Sequence, residues 1–297
     1  MAVKSRKARS TSPTVRRVFI LFRRNTLDAK KLAQELMRWL GQKGLKAHAQ
    51  EEHRMQGGKG SSTPAALKEA DLVVVLGGDG TYLEAVRLLD GRRTPILGVN
   101  LGSLGFLTET RVADLYSALE LALASKLEKR PRAMLTCEVR RKSKMLSQFT
   151  ALNDVVLERG PYSHLINLSI MSDHLPVCDV KADGVIIATP TGSTAYNLAA
   201  GGPILHPAVK ALVLTPICPH SLTNRPILFP DHIALHLRLK RGRQKAVMTV
   251  DGVRRAVLTD RDELVLKRAE CEHLVLREPS HNYFQLLREK LKFGERA

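Results

Sequence analysis

Leu72-Val73-Val74-Val75-Leu76-Gly77-Gly78-Asp79-Gly80-Thr81 is the stretch that decides how this chain folds. An apolar run of strand length breaks into glycines and hands over to a segment of helical pattern, Tyr82 to Leu89. A buried strand that turns through glycines into a helix is a phosphate-binding geometry. Glycine lets the backbone approach an anion, and the first helical turn offers free N–H groups and the positive end of the dipole. Asp79 is the odd member, because a carboxylate beside phosphates repels them unless it holds a metal or takes up a proton. It points to chemistry on a nucleotide. A tight turn stabilised by an aspartate is the plain alternative, and the flanking strand and helix weigh against it.

Working outward, alternating elements surround that turn. Val15 to Phe22 reads as a strand, Asp28 to Gly41 as a helix, Thr94 to Val99 as a strand and Val112 to Leu127 as a helix. Such alternation predicts a parallel sheet covered on both faces, with ligands at the carboxyl ends of its strands. Gly57 to Ser62 reads as a flexible loop and residues 1–14 as a disordered basic leader. After Lys129-Arg130-Pro131-Arg132 the texture changes to short strand-like segments: Leu135–Arg141, Phe149–Glu158, His164–Met171, Val180–Ala188, Ala211–Leu214, Ile233–Leu239, Lys245–Val250 and Glu263–Arg268. Asp183-Gly184, Arg241-Gly242 and Asp251-Gly252 supply turns between them. The end, Tyr283 to Phe293, is again helical, with Phe284, Leu287 and Leu291 expected on one face. The predicted fold is an α/β N-terminal domain (15–132), a mainly β, sandwich-like C-terminal domain (133–280), and a final helical segment (281–297).

Bulk properties narrow the function. The 297 residues are 44% apolar, and no run is long enough to span a bilayer. The basic start lacks an apolar segment, so no signal peptide is expected. Cys137, Cys178, Cys218 and Cys271 are far apart with no CxxC spacing, which reads as reduced thiols of a cytoplasmic protein. About half of the net charge of +18 comes from residues 1–31, where ten Lys/Arg face one acid, Asp28. Aromatics at 4% give no stacking surface for single strands, so the charge suits small polyanions better than nucleic acid.

A second cluster runs Asp183-Gly184-Val185-Ile186-Ile187-Ala188-Thr189-Pro190-Thr191-Gly192-Ser193-Thr194-Ala195-Tyr196-Asn197-Leu198-Ala199-Ala200-Gly201-Gly202-Pro203. A β run opens into a turn dense in hydroxyls and small residues, able to surround a polar planar ligand, with Tyr196 available to stack. Together with Leu152-Asn153-Asp154-Val155-Val156-Leu157 and the glycine turn, it closely resembles the NAD kinase family. The GGDGT turn is also shared by lipid and sugar kinases, whereas the Thr189 to Tyr196 segment is similar to NAD kinases specifically. Asn100–Thr108, Thr215–Thr223 and the tail from Asn282 are similar too, so the likeness runs from about Val15 to Gly294.

That resemblance implies transfer of the ATP γ-phosphate to the 2′-hydroxyl of the adenosine ribose of NAD⁺, with Mg²⁺ or another divalent cation. It implies the dinucleotide between two domains, the last helix packed back on the first, and a dimer or tetramer. Asp79 matches the family's base, and it could equally organise the cation; no protein ligand set for a metal is legible. Gly77, Gly78, Gly80 and Thr81 would meet phosphate oxygens. Asn153 and Asp154 match an Asn-acid pair that contacts the adenosine half, and His164 a position that touches NAD. Lys181 and Asp183 match a binding pair, and strand alternation puts i and i+2 on one face. Thr191, Thr194, Ala195, Tyr196, Asn197, Leu198 and Ala199 match the pocket lining, Cys218 a further lining position, and Phe106 a pocket wall.

Three departures stand out: Ala199 where many relatives have Ser, Cys218 where many have Ala, and Val253 where many have Gln. Losing one neutral hydrogen bond at Ala199 costs about 0.5–1.5 kcal/mol, which touches affinity and leaves Asp79 unchanged. Two other readings are a lipid or sugar kinase of the GGDGT group, and a non-catalytic dinucleotide sensor.

Overall fold

The computed structural model describes residues 15–53, 63–160, 164–240, 242, 244–280 and 282–292. The expected leader (1–14) and loop (57–62) lie outside them. The first half comprises β1 (Arg17–Phe22), α1 (Leu27–Gln42), β2 (Lys46–Glu51), a short α2 (Ala65–Lys68), β3 (Leu72–Gly77), α3 (Asp79–Leu89), β4 (Ile96–Asn100), β5 (Thr110–Arg111) and α4 (Leu115–Leu123). Strands β2, β1, β3 and β4 lie side by side in that order, all parallel. Their residues alternate between two faces, as a buried parallel sheet requires. Val18, Ile20, Val74 and Leu76 pack under Ala33, Leu36 and Leu40 of α1, with Leu115 and Leu119 of α4. Phe19, Leu21, Val73 and Val75 pack under Tyr82, Ala85 and Leu89 of α3.

The second half is β-rich: β6 (Glu128–Arg141), β7 (Lys144–Ala151), β8 (Asp154–Arg159), β9 (Ile166–Ser172), β10 (Leu175–Ala182), β11 (Gly184–Ala188), a four-residue α5 (Tyr196–Ala199), β12 (Ala211–Ile217), β13 (Ile227–Pro230), β14 (Leu235–Leu239), β15 (Lys245–Val250), β16 (Val253–Thr259), β17 (Asp262–Arg277) and α6 (Tyr283–Leu291). One antiparallel sheet runs β13-β12-β11-β8-β15-β16. It packs through Val155, Leu157, Val185, Ile187, Leu214 and Met248 onto Leu135, Cys137, Leu168, Ile170, Leu235 and Leu264 of the other sheet. That other sheet is continuous with the parallel one. Antiparallel β10-β9-β14-β17 joins β4, and β17 pairs parallel to it at Val275 and Ile96.

Several expected segments are resolved more finely. Phe149–Glu158 divides into β7 and β8, because Asp251 draws the backbone of residues 152–154 into a turn. The Val112–Leu127 helix begins as a 3₁₀ turn, Val112–Asp114, and its α-helical part stops at Leu123. Helix α3 starts at Asp79, three residues ahead of the expected start, so the glycine turn is itself the first helical turn. In α6 the buried face is Tyr283, Leu286 and Leu287, whereas Phe284 is exposed. Tyr283 donates to Leu205 O, and Lys290 reaches Leu104 O in the first half, so α6 is tied to both halves. No helix among the described residues is long and apolar enough to cross a membrane.

Gly98 in β4 is where the sheet and α3 come closest: a Cβ there would lie 2.6 Å from Leu107 O and 2.9 Å from the Tyr82 ring. Gly41 in α1 faces open space. Gly98→Ala should lower stability by about 1–3 kcal/mol through overpacking, while Gly41→Ala should raise it by about 0.5–1 kcal/mol through helix entropy. Urea unfolding of the two variants checks both signs.

Candidate functional site

The carboxyl ends of β1, β3 and β4 lie together, where an open α/β sheet binds its ligands. Gly78, extended at φ −110°, caps α3, and Asp79 follows as its first residue. Asp79 turns toward the loop after β4. Its Oδ2 accepts from Phe106 N at 2.9 Å, and its Oδ1 from Leu107 N, Thr108 N and Thr108 Oγ1 at 3.0–3.1 Å. Gly105 permits this approach, since a Cβ there would meet Asp79 Oδ1 at 2.1 Å. Asn100 braces the same loop: its amide donates to Ser103 O and Thr108 Oγ1 and accepts from Gly102 N. Oδ1 is saturated by three donors, and Oδ2, with one, keeps a lone pair for an incoming hydroxyl.

Beside this turn lies a cleft of about 650 Å³ lined by Gly78, Gly80, Thr81, Arg23, Arg24, Arg87, His53, Gly252 and Val253, among others. Arg23 and Arg24 follow β1 directly, and no carboxylate pairs with either guanidinium among the described residues. Arg87 is bound to Glu84 at 2.6 Å. Glycine backbone at a helix start and guanidinium groups without a carboxylate partner are features that suit phosphate groups. Gly252 and Val253 belong to the β15–β16 turn, so the cleft lies between the two halves.

That turn organises the β-rich side. Asp251 and Gly252 both have positive φ, 46° and 73°, which suits a tight hairpin. The Asp251 carboxylate accepts from the N–H groups of Leu152, Asn153 and Asp154 at 2.8–3.1 Å. Thr189 extends the knot, donating its N–H to Asn153 O and its hydroxyl to Leu152 O, and Gly192 N donates to Thr189 Oγ1. A Cβ at Gly192 would collide with Asn153 O at 2.0 Å. Within this knot Asn153 Oδ1 is buried with no hydrogen-bond partner. Such an atom is costly to leave unpaired and marks a place for a ligand donor. Burial, and then the charge of Asp251, push the Asp154 carboxyl up to about 7.

The remaining expected residues divide. Tyr196 is exposed at the start of α5; burial, and the charges of Glu158, Cys218, Asp183 and Asp154 around it, push its phenol up. Thr194 Oγ1 donates to Thr191 O, and Ala195 N donates to Gly192 O. Leu198 is half-buried and Ala199 exposed on α5. Asn197 is fully buried, and its amide is used internally by Ser193 O, Pro203 O and Thr215 Oγ1. Asp183 is engaged by Arg159 Nε at 2.5 Å. Lys181 is exposed, and its carbonyl accepts from His220 N in the turn that carries Cys218. Phe106 is half-buried in the loop that holds Asp79. His164 lies exposed ahead of β9, and no contact among the described residues ties it to this group. Sequence reasoning gave no site role to Arg23, Arg24, Arg87, Arg159 or Asp251. For Arg23 and Arg24 a signal was present, an Arg pair directly after a buried strand.

Two family models cover most of the chain: ATP-NAD kinase N-terminal domain over residues 18–127 and ATP-NAD kinase C-terminal domain over residues 152–277. The chain is 48% identical to an NAD kinase of Bdellovibrio bacteriovorus over 278 residues, which is 93% of this chain and 92% of that one. It is 40% identical to an NAD kinase of Solibacter usitatus, covering 96% and 100% of the two chains. Among solved structures, yeast NADH kinase complexed with NADH superposes with a TM-score of 0.85 at 25% identity, covering 96% of this chain and 89% of that one. An NAD kinase from Archaeoglobus fulgidus in complex with ATP has a TM-score of 0.72 at 22% identity, covering 93% and 98%, and shares the fold.

Asp154 titrates with a definite sign. Folded, it keeps a proton that the unfolded chain releases at about pH 4, so stability should fall as pH rises from there through about 7. Asp154→Asn should flatten that slope. Urea unfolding at pH 5 and pH 8 checks it: an equal loss in both proteins would mean that another group titrates.

Proposed function

The chain belongs to the NAD kinase family, and we propose that Asp79 is the base through which it phosphorylates its dinucleotide. The enzyme transfers the ATP γ-phosphate to the 2′-hydroxyl of the adenosine ribose of NAD⁺, giving ADP and NADP⁺. The O–P bond forms from the 2′-oxygen, the bond from the γ-phosphorus to the bridging oxygen breaks, and the hydroxyl proton passes to Asp79 Oδ2. The supporting observation is the single-donor Oδ2 of Asp79, fixed beside a glycine-walled, arginine-lined cleft.

The site residues take roles in this scheme. Gly77, Gly78, Gly80 and Thr81, with Arg23 and Arg24, hold the phosphates. Asn153 Oδ1 and Asp154 receive the adenosine half, and Asp154, its carboxyl pushed up to about 7, can donate as well as accept. Tyr196, Asp183, Thr191, Thr194, Ala195, Leu198, Ala199 and Cys218 line the rest of the dinucleotide groove, and Phe106 forms a wall. Asn197 contributes as the brace of that wall, Lys181 by its charge, and His164 as a polar side chain that meets the bound dinucleotide. The groove then lies between a nucleotide domain of residues 15–132 and a β-rich domain of residues 133–280, with α6 returning to the first.

A divalent cation bound with ATP would neutralise charge on the triphosphate. No group of three or more His, Cys, Asp or Glu side chains able to hold a metal occurs among the described residues. A Mg²⁺ ion carried on the substrate phosphates would need few protein ligands, and Asp79, in the glycine turn, would hold it only in place of acting as the base. We also place the enzyme in the cytoplasm, in line with four free cysteines, and as a dimer or tetramer, in line with apolar side chains exposed at Leu175 and Leu222.

NADP⁺ formation from NAD⁺ and Mg-ATP tests the role of Asp79. Asp79→Asn should lower kcat by about 10²-fold or more, the scale of a general base. Thr108→Val removes one donor to Oδ1 but leaves Oδ2, and should cost less than about tenfold. Equal losses would make Asp79 a holder of the loop and not the base. Arg24→Ala should raise KM for ATP several-fold with little change in kcat.

A further inference from the structure

A second concavity, of about 430 Å³, lies where the start of β6, the end of β17, segment 206–210 and Tyr283 meet. It shares no lining residue with the Asp79 cleft. Five Arg and Lys side chains line it, and three are matched by carboxylates. Arg268 binds Asp231 at 2.6 Å and Glu272 at 3.0 Å, Arg130 binds Glu128 at 2.8 Å, and Arg277 pairs with Glu109. Arg132 and Lys210 have no carboxylate within pairing distance among the described residues.

Arg132 is the unusual one. It is only 7% exposed, and among the described residues its five N–H donors find a single acceptor, Pro131 O at 3.4 Å. The groups whose electrostatics reach it, Tyr82, Arg130, Tyr283 and His273, bring no negative charge. Burial and Arg132 itself push His273 down to about 3, so that ring is neutral. Beside it Arg277, 5% exposed, leaves its Nε buried with no hydrogen-bond partner. A buried guanidinium without a counter-charge is strongly unfavourable, and here Arg132 and Arg277 line one opening. Pro207, Val209 and the Tyr283 ring give that opening an apolar wall.

We propose that this pocket is a second anion site, which takes a phosphate group, free or carried on a small organic molecule. Arg132 and the Arg277 Nε supply directed donors, and Lys210 stands at the mouth. Two uncompensated positive charges, on Arg132 and Lys210, match a phosphate dianion better than a single carboxylate. A tetrahedral group can also meet donors from two guanidinium planes at once.

Calorimetric titration of inorganic phosphate into the full-length protein tests this. A wild-type binding step should weaken at least tenfold in Arg132→Gln and several-fold in Lys210→Ala. Without phosphate, Arg132→Gln should melt at or above the wild-type temperature, because it removes an uncompensated buried cation; a structural arginine would show a drop. If Arg132→Gln fails to fold, exposed Lys210→Ala decides alone. Ribose 5-phosphate is the second probe. Tighter binding than phosphate, with the excess lost in Val209→Asp, assigns the organic carrier, and equal binding assigns the free anion. No phosphate binding to wild type, or binding unchanged in both variants, overturns the proposal.

Discussion

The two halves of this enzyme are held in register by one pair of strands. β17 runs antiparallel to β6 over almost its whole length, from Asp262 opposite Arg141 to Arg277 opposite Glu128. Before an irregularity between Arg268 and Glu272 its other neighbour is β14 of the β-rich half; after it the neighbour is β4 of the nucleotide half. A bulge adds residues on one strand and bends it, so one strand carries both the antiparallel and the parallel part of a single continuous sheet. The glycine turn after β3 and the Asp251 hairpin belong to different halves, yet both line one cleft. Their separation is set by backbone pairing, which is stiffer than a flexible linker would be.

On that frame, two carboxylates act alike. Asp79 gathers three N–H groups and a hydroxyl from residues 106–108, and Asp251 gathers three N–H groups from residues 152–154. A carboxyl group can accept several donors at once, and each here fixes a loop contributed by another element. An amide cannot substitute, because its NH₂ would face an N–H. Both Asp79 oxygens hold the loop, Oδ1 with three donors and Oδ2 with one. Preorganisation of this kind keeps a reacting group within a fraction of an ångström of its working position.

The α/β half was legible because its strands are buried on both faces and its helices are amphipathic. The run 72–76 and the spacing of Leu32, Leu36 and Leu40 leave few alternatives. The edge strand β2 was missed, since the only apolar residues of Lys46-Ala47-His48-Ala49-Gln50-Glu51 are two alternating alanines; Ala47 and Ala49 pack on the core, and parallel pairing with β1 completes the strand. Likewise β16, rich in arginine, forms because the Asp251-Gly252 turn folds it back on β15. At the site, the glycines, Asn153, Asp154 and the 189–199 segment were readable as motifs. Asp251 was read as a turn residue only, because the partners of its side chain lie about a hundred positions away and no local pattern announces them. Asn197 looked like a ligand contact for the opposite reason: its motif is dense, but three internal partners already use its amide.

The large positive charge now divides by what each cation faces. Arg17 meets Glu69 on the surface, Arg140 meets Glu138, and Arg141 and Arg238 meet Asp262 and Glu263. A pair exposed on both sides, such as Arg17 with Glu69, contributes little to stability, and all of these pairs cancel in the far field. The cations without a carboxylate partner among the described residues include Arg23 and Arg24 at the cleft, and Arg132 and Lys210 at the second pocket. Concave walls lined by one sign of charge focus the field and raise the local concentration of anions, over a reach of about 8 Å at physiological salt. ATP and NAD⁺ both carry phosphates, so a chain of net charge +18 with few aromatics is suited to drawing small polyanions into clefts. Binding a nucleic acid would call instead for a continuous basic face interleaved with stacking side chains.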